Sequence, residues 1–391
     1  MARRPWLKLL VLIGLFAFSE GREIKLADED GASLYNRTLA KMLVEFASAA
    51  YITDLTALFT WTCSRCNDLT KGFEMIELIV DVQNCLQAYI TDLTALFTWT
   101  CSRCNDLTKG FEMIELIVDV QNCLQAFVGV AHDLNSIIIA FRGTIENSMR
   151  NWIEDLFWKQ LDLNYPGVQG AMVHHGFYSA YHNTTLRHGI LSAVRKIKES
   201  CGNIHIIITG HSLGGALASF CALDLTVNHG VQNVQLMTFG QPRIGNAAFA
   251  TYFNKHVADA VRVTHENDIV PHLPPYYSYF SQKTYHHFPR EVWLRDIKVD
   301  DLEDMVEKIC DESGEDPSCC RSVYGRSIWD HLKYYGVELQ ADSWGSCRML
   351  MDNSVLQYYI EYNGDIILSR DPSTRSHLKL NSPPDTSRST V

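Results

Sequence analysis

Ile204-His205-Ile206-Ile207-Ile208-Thr209-Gly210-His211-Ser212-Leu213-Gly214-Gly215 is the stretch that decides the fold. The β-branched run reads as a buried strand, and Gly-His-Ser-Leu-Gly closes it with a sharp turn. A small-residue helical pattern then begins. Strand, elbow and helix in that order lift a serine, here Ser212, out of the sheet as a nucleophile. Gly210 and Gly214 lack the side chains that would collide where strand and helix pass closely. Gly215, Ala216 and Ala218 let the helix lie against the sheet. At the helix start the backbone N–H of Leu213 has no intrahelical partner and is free to donate to an oxyanion. A glycine-rich turn can hold a serine by chance; the strand before it and the helix after it set this one apart.

A serine hydroxyl is a weak nucleophile until a histidine takes its proton and a carboxylate orients that histidine. Behind such an elbow the partners follow in the order acid, then histidine. The run Ala260 to His265 ends in Glu266-Asn267-Asp268-Ile269-Val270-Pro271, a strand releasing a carboxylate into a proline-ended loop. Asp268 is the expected acid, with Glu266 as the local competitor. Of the downstream histidines, His286 and His287 sit in an alternating, strand-like stretch, where histidines usually pack. His331 lies on a connecting segment after a cysteine-containing excursion, and loop placement lets an imidazole reach between other loops. His331 is the expected base.

A second oxyanion donor is expected from Ile137-Ile138-Ile139-Ala140-Phe141-Arg142-Gly143-Thr144, a buried strand ending in a glycine turn. Thr144 offers a backbone N–H and a hydroxyl at the strand's C-terminal edge. Next come Met149, Trp152, Ile153, Leu156 and Phe157 at helical spacing, with Arg150, Asn151, Glu154 and Asp155 opposite. Such a helix ordinarily packs on the core; beside an oxyanion strand it also suits a lid over an apolar site.

The 391 residues can hold one large α/β domain or two average ones. A formal net charge of −11 disfavours nucleic acid as a partner. Arg3, Arg4 and Lys8 precede the apolar run Leu9 to Phe18, and small residues follow at Ser19 and Gly21. We read residues 1–21 as a cleaved signal peptide and expect no transmembrane anchor after cleavage. The sequons at Asn36 and Asn183 fit secretory passage and glycosylation. Secretion is expected, with the ER lumen or vacuole as the alternative. In that setting the 12 cysteines point to disulfides, with Cys310, Cys319, Cys320 and Cys347 as a local staple and Cys221 as a small buried thiol.

Residues 51–88 recur without a single change as residues 89–126. Each copy carries Cys-Ser-Arg-Cys, but one duplicated segment does not make a zinc site, and no metal is expected. Phe111 to Val120 and Cys123 to Ala131 read as two strands feeding the run Ser136 to Phe141. In the first copy the second strand is cut after Ala88. The second copy is therefore expected in the sheet and the first as a poorly packed insertion. A helix is expected from Tyr35 to about Phe59, with Leu39, Met42, Leu43 and Phe46 at helical spacing.

Together, Phe141-Arg142-Gly143-Thr144, Arg150-Asn151-Trp152-Ile153, His174-His175-Gly176-Phe177, the elbow, Phe239-Gly240-Gln241-Pro242-Arg243-Ile244-Gly245-Asn246 and Asn267-Asp268-Ile269-Val270-Pro271 resemble the class 3 (fungal-type) lipases, in particular secreted plant-like members. The resemblance implies an α/β-hydrolase fold with a mostly parallel sheet over residues 22–368. It also implies hydrolysis of acylglycerol esters with transient contact to a lipid surface, and no cofactor. By position it supports Ser212, Asp268 and His331 as the triad, Thr144 and Leu213 as oxyanion donors, and the stretch near Met149 to Trp158 as a lid. His174 matches a structural position. The alternatives are a phospholipase A1 or galactolipase with the same triad, and a lipase-like regulatory protein without chemistry. Residues 369–391, rich in Ser, Pro, Arg and Thr, are expected to be a disordered tail.

Overall fold

A computed structural model of the chain describes residues 35–52, 55–61, 63, 65–66, 70, 73–81, 112–119, 124–144, 159–276, 284–299, 302–340, 359–362 and 365–370. The expected signal peptide, lid and tail beyond residue 370 lie outside these. The helices are α1 (Arg37–Ala49), α2 (Leu55–Phe59), α3 (His175–His182), α4 (Thr185–Cys201), α5 (Leu213–Val227) and α6 (Ala247–His256). The main-sheet strands are β1 (Phe73–Asp81), β2 (Glu112–Asp119), β3 (Leu124–Ala131), β4 (Ser136–Phe141), β7 (His205–His211), β8 (Val234–Phe239), β9 (Asp259–His265), β10 (Glu291–Val299), β11 (Leu302–Ile309), β14 (Tyr359–Tyr362) and β15 (Asp365–Ser369). Two small hairpins stand apart, β5 (Gln160–Asp162) with β6 (Met172–His174), and β12 (Lys333–Tyr334) with β13 (Val337–Glu338).

The centre of the sheet is parallel, in the order β4-β7-β8-β9-β10. Antiparallel strands flank it, β3 beside β4 and β11 beside β10. Both faces are covered, which is why the central strands are apolar without interruption. Ile206 and Ile208 of β7 join the core under α3 to α6, while Ile207 between them joins the core on the α1 and α2 side. In β4, Ile137 and Ile139 point to the first core and Ile138 to the second. This is an α/β-hydrolase architecture, and it sets the C-terminal ends of β4, β7 and β9 along one edge, where ligands of open α/β sheets bind.

The N-terminal region departs from expectation twice. The helix ends at Ala49, and the chain turns through Tyr51 before α2 begins at Leu55. Tyr51 N–H and Ile52 N–H bond back to Ser48 and Ala49, so the last turn tightens instead of propagating. The first copy, moreover, is no loose insertion in its described residues. Tyr51, Leu58, Phe59, Trp61, Cys66 and Phe73 are buried, and Trp61 and Phe73 pack edge-on or tilted against Phe46 and Phe127. Burial of this aromatic cluster holds the described part of the copy in the core.

With β4 on one side, β3 has a single free edge, and the two copies offer it identical strands. Glu74 and Glu112 each pair with Val130, and Met75 and Met113 each pair with Gly129. The two copies also lie parallel, Glu74 opposite Glu112. Identical residues present identical hydrogen-bonding groups, so nothing in the sequence ranks one copy over the other at this edge. The β14–β15 hairpin lies beyond, with β15 antiparallel to β1 and Leu368 and Ser369 buried. Ser369, expected to begin the tail, is thus the last residue of the sheet.

Candidate active site

Ser212 sits between the end of β7 and the start of α5 with φ 58° and ψ −128°. A non-glycine residue in that region carries strain of about 1–3 kcal/mol, held here by the elements on either side. The glycines are required by contact. A Cβ on Gly210 would lie 2.3 Å from the Gly214 carbonyl oxygen, and one on Gly214 would lie 2.3 Å from the Phe141 oxygen. The second approach seats the start of α5 against the end of β4. It brings the Leu213 N–H and the Gly143–Thr144 turn to one place. A Cβ on Gly143 would lie 2.9 Å from Ser212 Cβ.

Asp268 follows β9 in a loop stitched to the segment that carries His331. Ser327 N–H donates to the Asn267 carbonyl, and Ile269 N–H donates to the Ser327 carbonyl. Asp330 accepts from the Asn267 N–H at 3.0 Å, and its own carbonyl meets His265 Nδ1 at 3.0 Å. This stitching delivers His331 Nδ1 to Asp268 Oδ2 at 2.8 Å, with both residues buried. Asp268 Oδ1 accepts from the Val270 N–H at 2.8 Å. Its Oδ2 also accepts from the Tyr334 hydroxyl at 2.6 Å. Burial, reinforced by the Asp268 charge, pushes the Tyr334 hydroxyl well above its ordinary range, so it stays protonated and donates.

With Nδ1–H committed to Asp268, the other ring nitrogen of His331 is the one free to accept a proton. His331 Nε2, Ser212 Oγ and Thr144 Oγ1 are buried and have no hydrogen-bond partner among the described residues. Three unsatisfied polar atoms at one sheet edge are costly in a folded core, and they are the hallmark of a site whose partners come with a substrate. Serine–histidine bonds are commonly long before substrate arrives.

The competitors fall away on geometry. Glu266 turns to the outside and accepts from Arg295 and from the Asp296 N–H. His287 is buried with Nε2 on the Pro271 carbonyl at 2.8 Å, and burial first, then Arg262 and Arg243, holds it neutral. His286 packs on Tyr276. His174 caps α3 and stacks on Phe177, a structural part. Cys63 and Cys66 form a disulfide, as do Cys310 and Cys319, and Cys221 is a buried free thiol. Cys347 and the lid residues Met149, Trp152, Ile153, Leu156 and Phe157 lie outside the described residues. Asn36 and Asn183 are exposed.

Two contributors escaped the sequence reading. Tyr334, three residues beyond His331, had only its proximity to mark it. Gly240, just after β8, has φ +57°, and a Cβ there would lie 2.8 Å from both Asp268 Oδ2 and His331 Nδ1. Its phenylalanine-glycine-glutamine context was visible, but the space it clears was not.

Residues 138–278 match the family model described as lipase (class 3). The lipase of Rhizomucor miehei is 35% identical over 206 residues, which are 52% of this chain and 52% of that protein. The secreted mono- and diacylglycerol lipase 1 of Fusarium solani is 32% identical over 200 residues, 51% of this chain and 56% of its own. The chain thus spans about half the length of the curated relatives it matches. A solved triacylglycerol lipase, described as having a serine protease triad at its catalytic centre, superposes with a TM-score of 0.55 and 29% identity, over 77% of this chain and 94% of its own. Ser212 and Asp268 fall inside the matched span and His331 outside it, so the place of His331 rests on geometry. Residues 138–278 thus match the class 3 lipase model, on an architecture similar to that of solved fungal lipases.

Proposed function

We propose that the chain is a secreted carboxylic-ester hydrolase that releases fatty acids from acylglycerols through an acyl-enzyme. The observation that carries this is the buried 2.8 Å pair of His331 Nδ1 and Asp268 Oδ2, on the same sheet edge as an elbow serine whose Oγ is unpartnered among the described residues. Ser212 Oγ attacks the ester carbonyl and its proton passes to His331 Nε2. Asp268 holds the ring and stabilises the imidazolium. The Leu213 N–H, with the Thr144 N–H and hydroxyl, receives the oxyanion of the tetrahedral intermediate, each such donor contributing about 10²–10³ in rate. His331 returns the proton to the leaving alkoxide, and water then repeats the sequence in reverse on the acyl-enzyme.

The substrate class is supported by the relatives, one a secreted mono- and diacylglycerol lipase and another a triacylglycerol lipase. The amphipathic stretch Met149 to Phe157 serves in this reading as the lid, meeting a lipid surface when open. Residues 1–21 serve as the signal, and Asn36 and Asn183 as glycosylation sites.

Fatty-acid release from emulsified triacylglycerol, diacylglycerol, phosphatidylcholine and galactolipid, measured side by side, tests the reading. We expect the acylglycerols to be preferred, and Ser212→Ala to lose at least about 10⁴-fold in rate. Equal rates for the wild type and Ser212→Ala would reject the mechanism. Preference for the polar lipids would replace the substrate class while keeping the triad.

A further inference from the structure

A second buried chain of hydrogen bonds runs beside the triad and takes no part in the chemistry above. The Tyr51 hydroxyl, in the turn after α1, lies 2.6 Å from His211 Nδ1. His211 Nε2 lies 2.8 Å from the main-chain oxygen of His331. All three residues are fully buried, and the rings of His211 and His331 are 4.3 Å apart. The Tyr51 hydroxyl also packs against Gly143, 2.3 Å from where a Cβ on that residue would stand.

The proton positions follow from what each group can do. A carbonyl oxygen only accepts, so His211 Nε2 carries a proton and donates to His331. In a neutral imidazole the other nitrogen is then a bare acceptor, and the Tyr51 hydroxyl donates to it. Burial first, then the neighbouring His331, pushes His211 well below its usual range, which keeps it neutral. The chain therefore runs in one direction, from the Tyr51 hydroxyl through His211 to the His331 carbonyl.

Its ends matter more than its length. Gly143 precedes Thr144, His211 precedes Ser212, and the last acceptor is the backbone of His331 itself. Hydrogen bonds from Tyr51 thus join the loops that supply nucleophile and base, and its hydroxyl packs against the turn that leads to the oxyanion donor Thr144. Resting on the hydrolase reading above, we propose that Tyr51 and His211 are positioning residues. Tyr51 fixes the His211 tautomer, and His211 fixes the His331 backbone, so that Nε2 of the base stays aimed at Ser212. Without the Tyr51 hydroxyl the ring can adopt the opposite tautomer and turn a lone pair toward the carbonyl it should hold.

The test is a double-mutant cycle on the full chain, with kcat, KM, melting temperature and the rate of fluorophosphonate labelling read for each variant. Tyr51→Phe and His211→Leu should each lower kcat and labelling roughly 10- to 100-fold, the scale of a small misplacement of reacting groups. KM should hold. Because Tyr51 acts through His211, adding Tyr51→Phe to His211→Leu should cost nothing more. His211→Gln, whose amide nitrogen can replace Nε2 as donor, should recover much of the loss. Tyr89→Phe, the same substitution in the second copy, should leave kcat unchanged.

Additive losses, a change confined to KM, or no loss in either single variant would overturn the proposal. So would a Tyr89→Phe effect equal to that of Tyr51→Phe. Nitrogen NMR of the unmutated protein gives a readout independent of variant folding: His211 should show Nε2 protonated and Nδ1 bare, and the reverse tautomer would refute the chain. Failure of the hydrolase reading looks different, since Ser212→Ala would then match the wild type in both turnover and labelling.

Discussion

At the scale of single residues, the site is decided by which atoms are denied neighbours. Ser212 is held at φ 58°, a conformation an L-residue adopts only when its surroundings impose it. The Gly-His-Ser-Leu-Gly pattern made that legible, because the two glycines and the flanking elements have one common purpose. Gly240 was not legible in the same way. Its role depends on Asp268 and His331 arriving from 28 and 91 residues downstream, and only the folded chain shows that a methyl group would meet both. We expect Gly240→Ala to lower kcat by about 100-fold or more, since the imidazole must shift to admit the Cβ. Gly230→Ala is the control: it too has positive φ (+63°), but nothing lies within 4 Å of its Cβ. It should cost about 1 kcal/mol of stability and no activity. Equal loss of turnover in both would show that strain alone, not the space beneath the His–Asp pair, explains Gly240.

At the scale of elements, periodicity marked the strands and the helix after the Ser212 elbow, and missed where α1 stops. The apolar spacing continues past Ala49, so no pattern separates a long helix from two short ones joined at Tyr51. The break is set by what Tyr51 meets 160 residues away, a partner invisible to local spacing. Helices α4 and α5 are joined by a different device. Asp224, buried on α5, accepts from Arg187 of α4 at 2.8 and 3.0 Å and from Asn228 at 2.7 Å. Although burial alone would raise it, Arg187 and Asn228 hold the Asp224 carboxyl below its usual range. A depressed carboxylate stabilises the fold fully above its unfolded pKa, near 4, and that contribution fades as pH falls through the depressed value. Urea unfolding of the wild type and Arg187→Ala should therefore differ most at pH 6 and converge toward pH 2. A gap that widens with acid would contradict this sign.

At the scale of the whole molecule, the exact repeat is the feature the fold accommodates least easily. By strand pattern alone, the second copy belongs in the sheet and the first outside it. The first copy instead supplies Trp61 and Phe73 to the core, while strands of both copies face the same residues of β3. Strand pattern could not rank two identical segments, and burial of the aromatic cluster is a long-range property. Because the copies are identical and adjacent, deleting either leaves one and the same 353-residue chain. That shortened chain removes a redundant strand, an invitation to mispairing and aggregation, and closes a shorter loop at lower entropic cost. We expect it to melt higher, to aggregate less and to keep full activity, checked by calorimetry, light scattering and fatty-acid release. Loss of the fold on deletion would mean that both copies are needed. The larger claim is that the ends of β4, β7 and β9, with the loop bearing residue 331, assemble one reacting centre. Incubation with a fluorophosphonate followed by peptide mass spectrometry tests it most directly. The adduct should appear on Ser212 alone, vanish in Ser212→Ala and form far more slowly in His331→Ala; an adduct on another residue, or labelling that ignores both substitutions, would contradict it.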